Sequence, residues 1–405
     1  LVNYWKKPQA INYKINEAEA VEEYGFLLEQ AVKRQLLSDV PVGLLLSGGL
    51  DSAVLGHLMS KHTNYPIQTF TVGFEGKGNF NELDDARDTA KFIGADHRDI
   101  FMDKQQYMDY FYKSFYHTEE PIAEPTIPAL FYVSNLASQH VKVVLSGQGA
   151  DEPMAGYKRY RGEKILSDYA GILSMLPLSI AQKMFPTSNA IERGVYSSKF
   201  KDELDRFIAI YTMFTPDLKK ELFQNNIAPL INQSQRVHFE KFYNQTDPTA
   251  DSLSKLLFLD TRGMLPDNLL IFNDKMTMAN SIENRVPYLD TDLINFIETL
   301  PIELKLRGKV GKYIHRKAAQ KWLPDSIINR KKRGFETPVG DWFKEELAGN
   351  LIDLVECNQS FSKQYFNVPA IKNMLRLHKD KKKDYRRNLF MLLSLELWYK
   401  NFYLA

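Results

Sequence analysis

Cysteine is nearly missing from this chain of 405 residues, with Cys357 as its one thiol. That excludes intramolecular disulfides, a cysteine-only metal site and any mechanism needing two thiols in the chain. It also points to a reducing, cytoplasmic compartment. Histidine is sparse, at eight residues, with no H-x-x-x-H pair and no Cys/His cluster to ligate zinc. Net charge is almost nil, because 52 Lys+Arg against 50 Asp+Glu leaves +2. So small an excess offers no broad nucleic-acid footprint. No apolar run reaches the length of a membrane span. The start, Leu1-Val2-Asn3-Tyr4-Trp5-Lys6-Lys7, does not read as a signal peptide. Leu1 is not an initiating Met, so we expect residues upstream of it. Internal repeats, low-complexity tracts and Pro/Ser linkers are missing as well.

What is present is an ordinary globular composition. Hydrophobic residues make up 44% and charged residues 25%, which excludes global disorder. The length is a prior for two domains, or for one large domain with insertions. Asn16 with Glu19 signals a helix start, and Val21, Tyr24, Leu27, Leu28, Ala31 and Val32 keep helical spacing to about Leu37. Val42 to Leu46 is a short apolar run, as a buried parallel strand reads. Further strands are predicted over 67–73, 96–102 and 141–145. Helices are predicted over 51–62, 82–93, 108–117 and 127–139. This alternation implies a parallel sheet covered on both faces. Beyond about Arg161 the strand signal fades into helical patterns. An α/β half followed by a mostly helical half is expected, packed together with the active site between them.

The most informative stretch is Val42-Gly43-Leu44-Leu45-Leu46-Ser47-Gly48-Gly49-Leu50-Asp51-Ser52. A buried strand ends, two glycines turn the chain and a helix begins. Glycines let the backbone approach an anion closely. The free N–H groups of the helix start, with the Ser47 and Ser52 hydroxyls, suit phosphate oxygens. Asp51 belongs beside phosphates only through a cation, and magnesium takes one or two carboxylates plus phosphate oxygens. Neither G-x-x-x-x-G-K-[ST] nor a G-x-G-x-x-G after a strand is present. The plain alternative is a strand–turn–helix junction with a capping Asp or Ser. Asp151 follows a second Ser-Gly turn, Ser146-Gly147, at another strand end, so it is expected at the same sheet edge. Its plain alternative is a helix cap.

The Ser-Gly-Gly-Leu-Asp-Ser string resembles the pyrophosphate loop of the ATP pyrophosphatases, which split ATP between its α and β phosphates. The resemblance continues through Val144-Leu145-Ser146-Gly147-Gln148-Gly149-Ala150-Asp151-Glu152 and Ala155-Gly156-Tyr157-Lys158-Arg159-Tyr160, the second signature of the asparagine synthetase family. Glu120 to Pro125 resembles the segment that precedes it. The third block is matched by Leu265 to Leu270, Asp274 to Ala279 and Glu283 to Asp290. The fourth is matched by Gly311 to Arg316, Leu323-Pro324 and Arg330 to Phe335.

The resemblance implies a fold of the adenine nucleotide α-hydrolase type, with a parallel sheet flanked by helices and a mostly helical C-terminal region. It implies ATP and Mg2+, bound at Leu46, Ser47, Gly48, Gly49, Asp51, Ser52, Val72, Ser146 and Gly147. Asp51 and Asp151 would be the metal ligands, and the backbone around Val72, Ser146 and Gly147 would cradle the adenosine. Lys312, Gln148 and Glu152 would be the catalytic side chains. Lys312 stands where the family carries a lysine that stabilises phosphate charge, with Arg316 one turn on sharing its face. The boundaries it suggests are 1–165 for the nucleotide core, 166–260 for a helical insertion and 261–405 for a helical part completing the site.

In that family a C-terminal domain activates a carboxylate as an acyl-adenylate, which ammonia from a glutaminase domain then attacks. The resemblance therefore implies aspartate and ammonia as substrates, with a glutaminase domain before Leu1 or on a separate chain, and it admits a homodimer. One departure stands out. Asparagine synthetases usually carry Glu where this chain has Gln148. The acid can instead be a sugar uronate or a peptide carboxylate, or the amine can be intramolecular, as in the β-lactam-forming relatives. A tRNA-modifying pyrophosphatase is disfavoured by the scarce cysteine and balanced charge. A non-catalytic nucleotide-binding protein is disfavoured by the intact loop, Asp51, Asp151 and Lys312. Glu283, Arg285 and Asp290 read as structural ion pairs. The basic runs 330–333 and 378–387 read as solvated surface. The stripe Leu389, Leu392, Leu393 and Leu397 reads as core.

Overall fold

The computed structural model describes residues 10–74, 82–121, 123–173, 189–224, 236–331 and 337–404. They divide into two compact units. The first falls within Leu1–Asp103, Ala129–Ile165 and Glu240–Gly334, the second within Lys104–Pro128, Leu166–Phe239 and Phe335–Ala405.

The first unit is built on a parallel sheet. Helix α1 (Glu17–Gln35) starts where Asn16 Oδ1 accepts the Glu19 N–H at 2.8 Å, the cap expected from the sequence. Strands β1 (Val42–Leu45), β2 (Gln68–Phe74), β3 (Asp96–Met102), β4 (Val143–Leu145) and β5 (Glu283–Arg285) lie in the order β3-β2-β1-β4-β5. Every pairing is parallel, with Leu44 opposite Thr69 on one side and Leu145 on the other. Helices α2 (Leu50–His62) and α3 (Leu83–Ile93) follow β1 and β2. Leu44, Leu55, Leu58, Ile67, Val143 and Leu145 form the core together with Tyr288, Leu293, Ile297 and Ile314 from much later in the chain. Burial of each large apolar side chain contributes ~1.5–3 kcal/mol.

The fifth strand corrects the expectation that strands end near residue 161. Glu283-Asn284-Arg285 is short, polar and partly exposed, so it carries no hydrophobic pattern. It forms because an edge is open beside β4, where Glu283 pairs with Val143 and Arg285 with Leu145. The order of the sheet also locates its crevice. From β1 the chain runs outward to β2 and β3, then adds β4 and β5 on the other side. The loops leaving β1 and β4 diverge at that switch point, where open α/β sheets bind ligands.

The second unit is helical. Its helix Arg386–Trp398 buries Leu389, Leu392, Leu393 and Leu397, as their spacing predicts. His378, expected on a solvated basic run, is instead buried. Its Nδ1 accepts the Tyr385 N–H at 3.2 Å and its Nε2 lies 2.8 Å from the Gly340 carbonyl. An imidazole with a hydrogen-bond partner on each nitrogen belongs in a core. Among the described residues no helix is long and apolar enough to cross a membrane. A parallel sheet flanked by helices, followed by a largely helical C-terminal region, is the adenine nucleotide α-hydrolase-like architecture.

Candidate active site

All the residues expected at the nucleotide and metal site fall in the first unit. The described residues within 240–334 belong to that unit as well, which is how Lys312 shares it with Asp51.

The chain leaves β1 through Leu46, Ser47, Gly48 and Gly49 and enters α2 at Leu50. Leu46 is buried and its N–H bonds the Phe70 carbonyl at 2.9 Å, continuing the strand pairing. Thr71 Oγ1 donates to the Leu46 carbonyl. The two serines shape the turn: Ser47 N–H donates to Ser52 Oγ at 3.1 Å, and their hydroxyls lie 3.0 Å apart. Gly49, the N-cap of α2, brings no side-chain cap. The positive end of α2 is therefore presented to an anion. Glu82, at the start of α3, takes the Gly48 N–H at 3.2 Å. Val72 lies buried within β2.

The loop after β4 lies against this turn. A Cβ on Gly147 would stand 3.2 Å from Asp51 Cβ and 3.3 Å from the Ser52 amide, so any side chain there would crowd the start of α2. Ser146 is buried, and its N–H donates to the Arg285 carbonyl at 2.9 Å, extending the β4–β5 pairing. Gln148 is partly exposed in the turn that follows.

Asp51 and Asp151 are brought together, and Lys312 lies between them. Its Nζ is 2.6 Å from Asp51 Oδ2 and 2.9 Å from Asp151 Oδ1. Its side chain is 6% exposed. Burial disfavours the ammonium, but Asp151 and Asp51 outweigh it and hold the lysine pKa above its ordinary value. Lys312 has the left-handed φ of 54°, which costs about 1–3 kcal/mol in a residue with a Cβ. Its N–H bonds the Met154 carbonyl at 2.8 Å, and Ala155, next in that loop, is left-handed too, at φ 56°. Gly156 completes the cluster, since a Cβ there would overlap Asp151 Oδ1 and Lys312 Cε.

Glu152 is buried and accepts the Tyr157 hydroxyl at 2.7 Å. Burial, then the neighbouring Asp151 charge, push its carboxyl up to about 7. The group therefore exchanges a proton near neutral pH.

Several contributors escaped the sequence reading. Arg330, assigned there to a solvated basic run, is largely buried and donates to the Asp85 carbonyl at 2.6 Å and to Thr89 Oγ1 at 2.7 Å. It braces α3 beside the phosphate loop. A polar stretch reads as surface unless its partners are known, and only the resemblance of Arg330 to Phe335 to the family's fourth block set it apart. Positions 332–335 of the fourth block, and Ile122 of the segment 120–125, lie outside the described residues. Tyr288 donates to the Asp51 carbonyl at 2.9 Å. Arg316 does not turn to the site; its guanidinium donates to the Ile328 carbonyl at 2.7 Å. The Glu283, Arg285 and Asp290 set separates into two pairs, Arg285 with Glu283 and Asp290 with Arg34.

The donor set suits magnesium. Two carboxylates already share a cationic partner, and this metal takes few protein ligands, leaving the rest to phosphate oxygens and water. Among the described residues no group of three or more His, Cys, Asp and Glu is placed to hold a metal.

Comparison with known proteins gives the family. Residues 23–400 match the asparagine synthase family. The chain is 32% identical over 390 residues to asparagine synthetase [glutamine-hydrolyzing] 1 of Bacillus subtilis, covering 95% of this chain and 60% of that protein. It is 25% identical over 374 residues to asparagine synthetase [glutamine-hydrolyzing] 3 of the same organism, covering 85% and 54%. It is also 25% identical over 389 residues to the amidase chyE of Penicillium rubens, covering 84% and 56%. The chain thus spans 54–60% of the length of these relatives. A loop-forming strand end, paired aspartates bridged by a buried lysine, and a match across nearly the whole sequence lead to one assignment: this chain belongs to the asparagine synthase family.

Proposed function

We propose that this chain catalyses ATP-dependent amidation of a carboxylate through an acyl-adenylate, releasing AMP and pyrophosphate. The acid in this reading is aspartate, the nitrogen donor is ammonia and the product is asparagine. The observation that carries the reading is the meeting of Asp51, Asp151 and Lys312 beside an uncapped helix start at one sheet edge. A glutaminase domain, fused or separate, supplies the ammonia in a reducing, cytoplasmic setting.

The roles follow from chemistry. Backbone N–H groups at the start of α2 bind the β and γ phosphates, joined by the Gly48 N–H once Glu82 gives it up. The backbone around Val72, Ser146 and Gly147 holds the adenosine. Asp51 and Asp151 would hold Mg2+, which neutralises charge on the phosphates when bound. A carboxylate oxygen of the acid attacks the α phosphorus, the bond to the β-phosphate oxygen breaks, and pyrophosphate leaves. Lys312 adds a fixed positive charge where negative charge builds up. Ammonia then attacks the acyl carbon and AMP departs. Glu152 takes the proton released by the nitrogen, its pKa of about 7 being suited to a base near neutral pH.

A second reading keeps the adenylation and changes the acid. Gln148 favours it, because an amide orders hydrogen bonds but accepts no proton in the way a carboxylate does.

The test is pyrophosphate release from MgATP with a panel of acids, with and without ammonia. Aspartate-dependent release and asparagine formation are expected, and both should be nearly abolished in Asp51→Asn and Asp151→Asn variants that fold normally. Near-normal activity in either variant would remove the metal assignment. Release driven by another acid alone would establish the second reading.

A further inference from the structure

His315 has no role in the mechanism above, yet it lies directly behind Asp51. The imidazole is fully buried on the helix Tyr313–Ala319. Its Nδ1 is 3.0 Å from the hydroxyl of Tyr24, a fully buried residue of α1 that lies 291 positions away in sequence. Its Nε2 is 3.4 Å from Asp51 Oδ1. Tyr288 packs edge-on against the same ring, with centroids 5.4 Å apart and planes at 90°, while its hydroxyl holds the Asp51 carbonyl.

One tautomer satisfies this arrangement. Burial, then the Asp51 charge, push the Tyr24 phenol well above its ordinary pKa, so it keeps its proton and donates it to Nδ1. Nε2 then carries the ring hydrogen on the side of Asp51, whose Oδ1 lies 3.4 Å away. The opposite tautomer would strand the phenol proton and set a nitrogen lone pair against a carboxylate. At 3.4 Å the contact is long for a hydrogen bond, so the ring acts on Oδ1 mainly through its N–H dipole. The other oxygen, Oδ2, is turned toward Lys312. A histidine that merely filled the core would not need both nitrogens directed along the line from Tyr24 to Asp51.

We propose that His315, held by Tyr24, is a positioning residue that fixes the rotation of the Asp51 carboxylate so that Oδ2 faces the cation position shared with Asp151. The proposal rests on the reading of Asp51 as a magnesium-holding residue. Partners behind a ligand orient it, and their loss typically weakens metal binding about 10- to 100-fold.

The experiment is calorimetric binding of pyrophosphate to the whole chain across a Mg2+ titration, in wild type, His315→Leu, His315→Gln, Tyr24→Phe and Asp51→Asn, each checked for fold by circular dichroism. His315→Leu should raise the Mg2+ concentration for half-maximal binding by ~10-fold or more, with excess Mg2+ restoring binding. His315→Gln, which keeps an N–H donor, should recover most of the loss, and Tyr24→Phe should fall between. A packing defect would be neither rescued by Gln nor relieved by Mg2+. Equal losses in the Leu and Gln variants, or a wild-type titration in His315→Leu, would overturn the proposal. If His315→Leu does not fold, the Gln and Tyr24→Phe variants decide: a wild-type Mg2+ titration in Tyr24→Phe overturns it. An unchanged titration in Asp51→Asn would instead overturn the reading of Asp51 itself.

Discussion

The carboxylate of Glu82 accepts the backbone N–H of Gly48 at 3.2 Å. The phosphate loop therefore holds an anion supplied by its own chain. In the proposed reaction a phosphate oxygen must take that N–H, and Glu82 competes for it. Glu82→Ala removes the competitor and one negative charge. Pyrophosphate should bind more tightly by about 3- to 10-fold, on the scale of ~1 kcal/mol for one hydrogen bond. Calorimetry checks it, and weaker binding would mean that Glu82 shapes the loop rather than occupying it.

Gly156→Ala should be more damaging than its size suggests. The added Cβ would overlap Asp151 Oδ1 and Lys312 Cε, forcing apart two groups that now meet at 2.9 Å. A shift near 1 Å in a reacting group costs on the order of 100-fold. Acid-dependent pyrophosphate release should fall by about that factor while circular dichroism stays unchanged. A variant within threefold of wild type would show that the triad of Asp51, Asp151 and Lys312 tolerates displacement.

Glu152 predicts a pH dependence of stability. Its carboxyl is raised from 4.5 to about 7, first by burial and then by Asp151. Folding thus favours the protonated form. The stabilising contribution is complete below pH 4.5, where both states are protonated, and is lost as pH rises through about 7. The loss is of order 3 kcal/mol at most. Between pH 5 and pH 8 the melting temperature of wild type should therefore fall further than that of Glu152→Gln. Parallel curves for the two proteins would rule out Glu152 as the source.

Gln148→Glu tests the meaning of the one departure in the second signature. General-base assistance is worth ~100- to 10,000-fold where proton removal limits the rate. If the amide slows attack by ammonia, the Glu variant should form asparagine faster, with aspartate-dependent pyrophosphate release changed less. Efficient asparagine synthesis by wild type and no gain in the variant would strip Gln148 of that significance.

Much of the nucleotide half was legible locally. The cap at Asn16, the extent of β3 and the strand ends before Ser47 and Ser146 follow from short-range patterns, because apolar runs, turn glycines and capping groups act within a few residues. The pairing of Asp51 with Asp151 was inferable one level higher, since two parallel strands that end in Ser-Gly turns share a sheet edge. Lys312 was identified through resemblance to a family motif, and its left-handed backbone had no counterpart in the residue pattern. Arg330 and His378 were misread because a basic residue and a solvated one look alike until the opposing surface is known.

By itself, then, the sequence determined the βα alternation, the phosphate loop and the identity of the groups available for chemistry. Tertiary structure alone decided that β5 joins the sheet, that Glu82 holds the Gly48 amide and that Tyr24, His315 and Asp51 line up across 291 residues of chain. The reason is physical: propensities and caps are set by neighbours in sequence. The worth of a buried polar group is set by whichever distant partner the folded chain brings within about 3 Å.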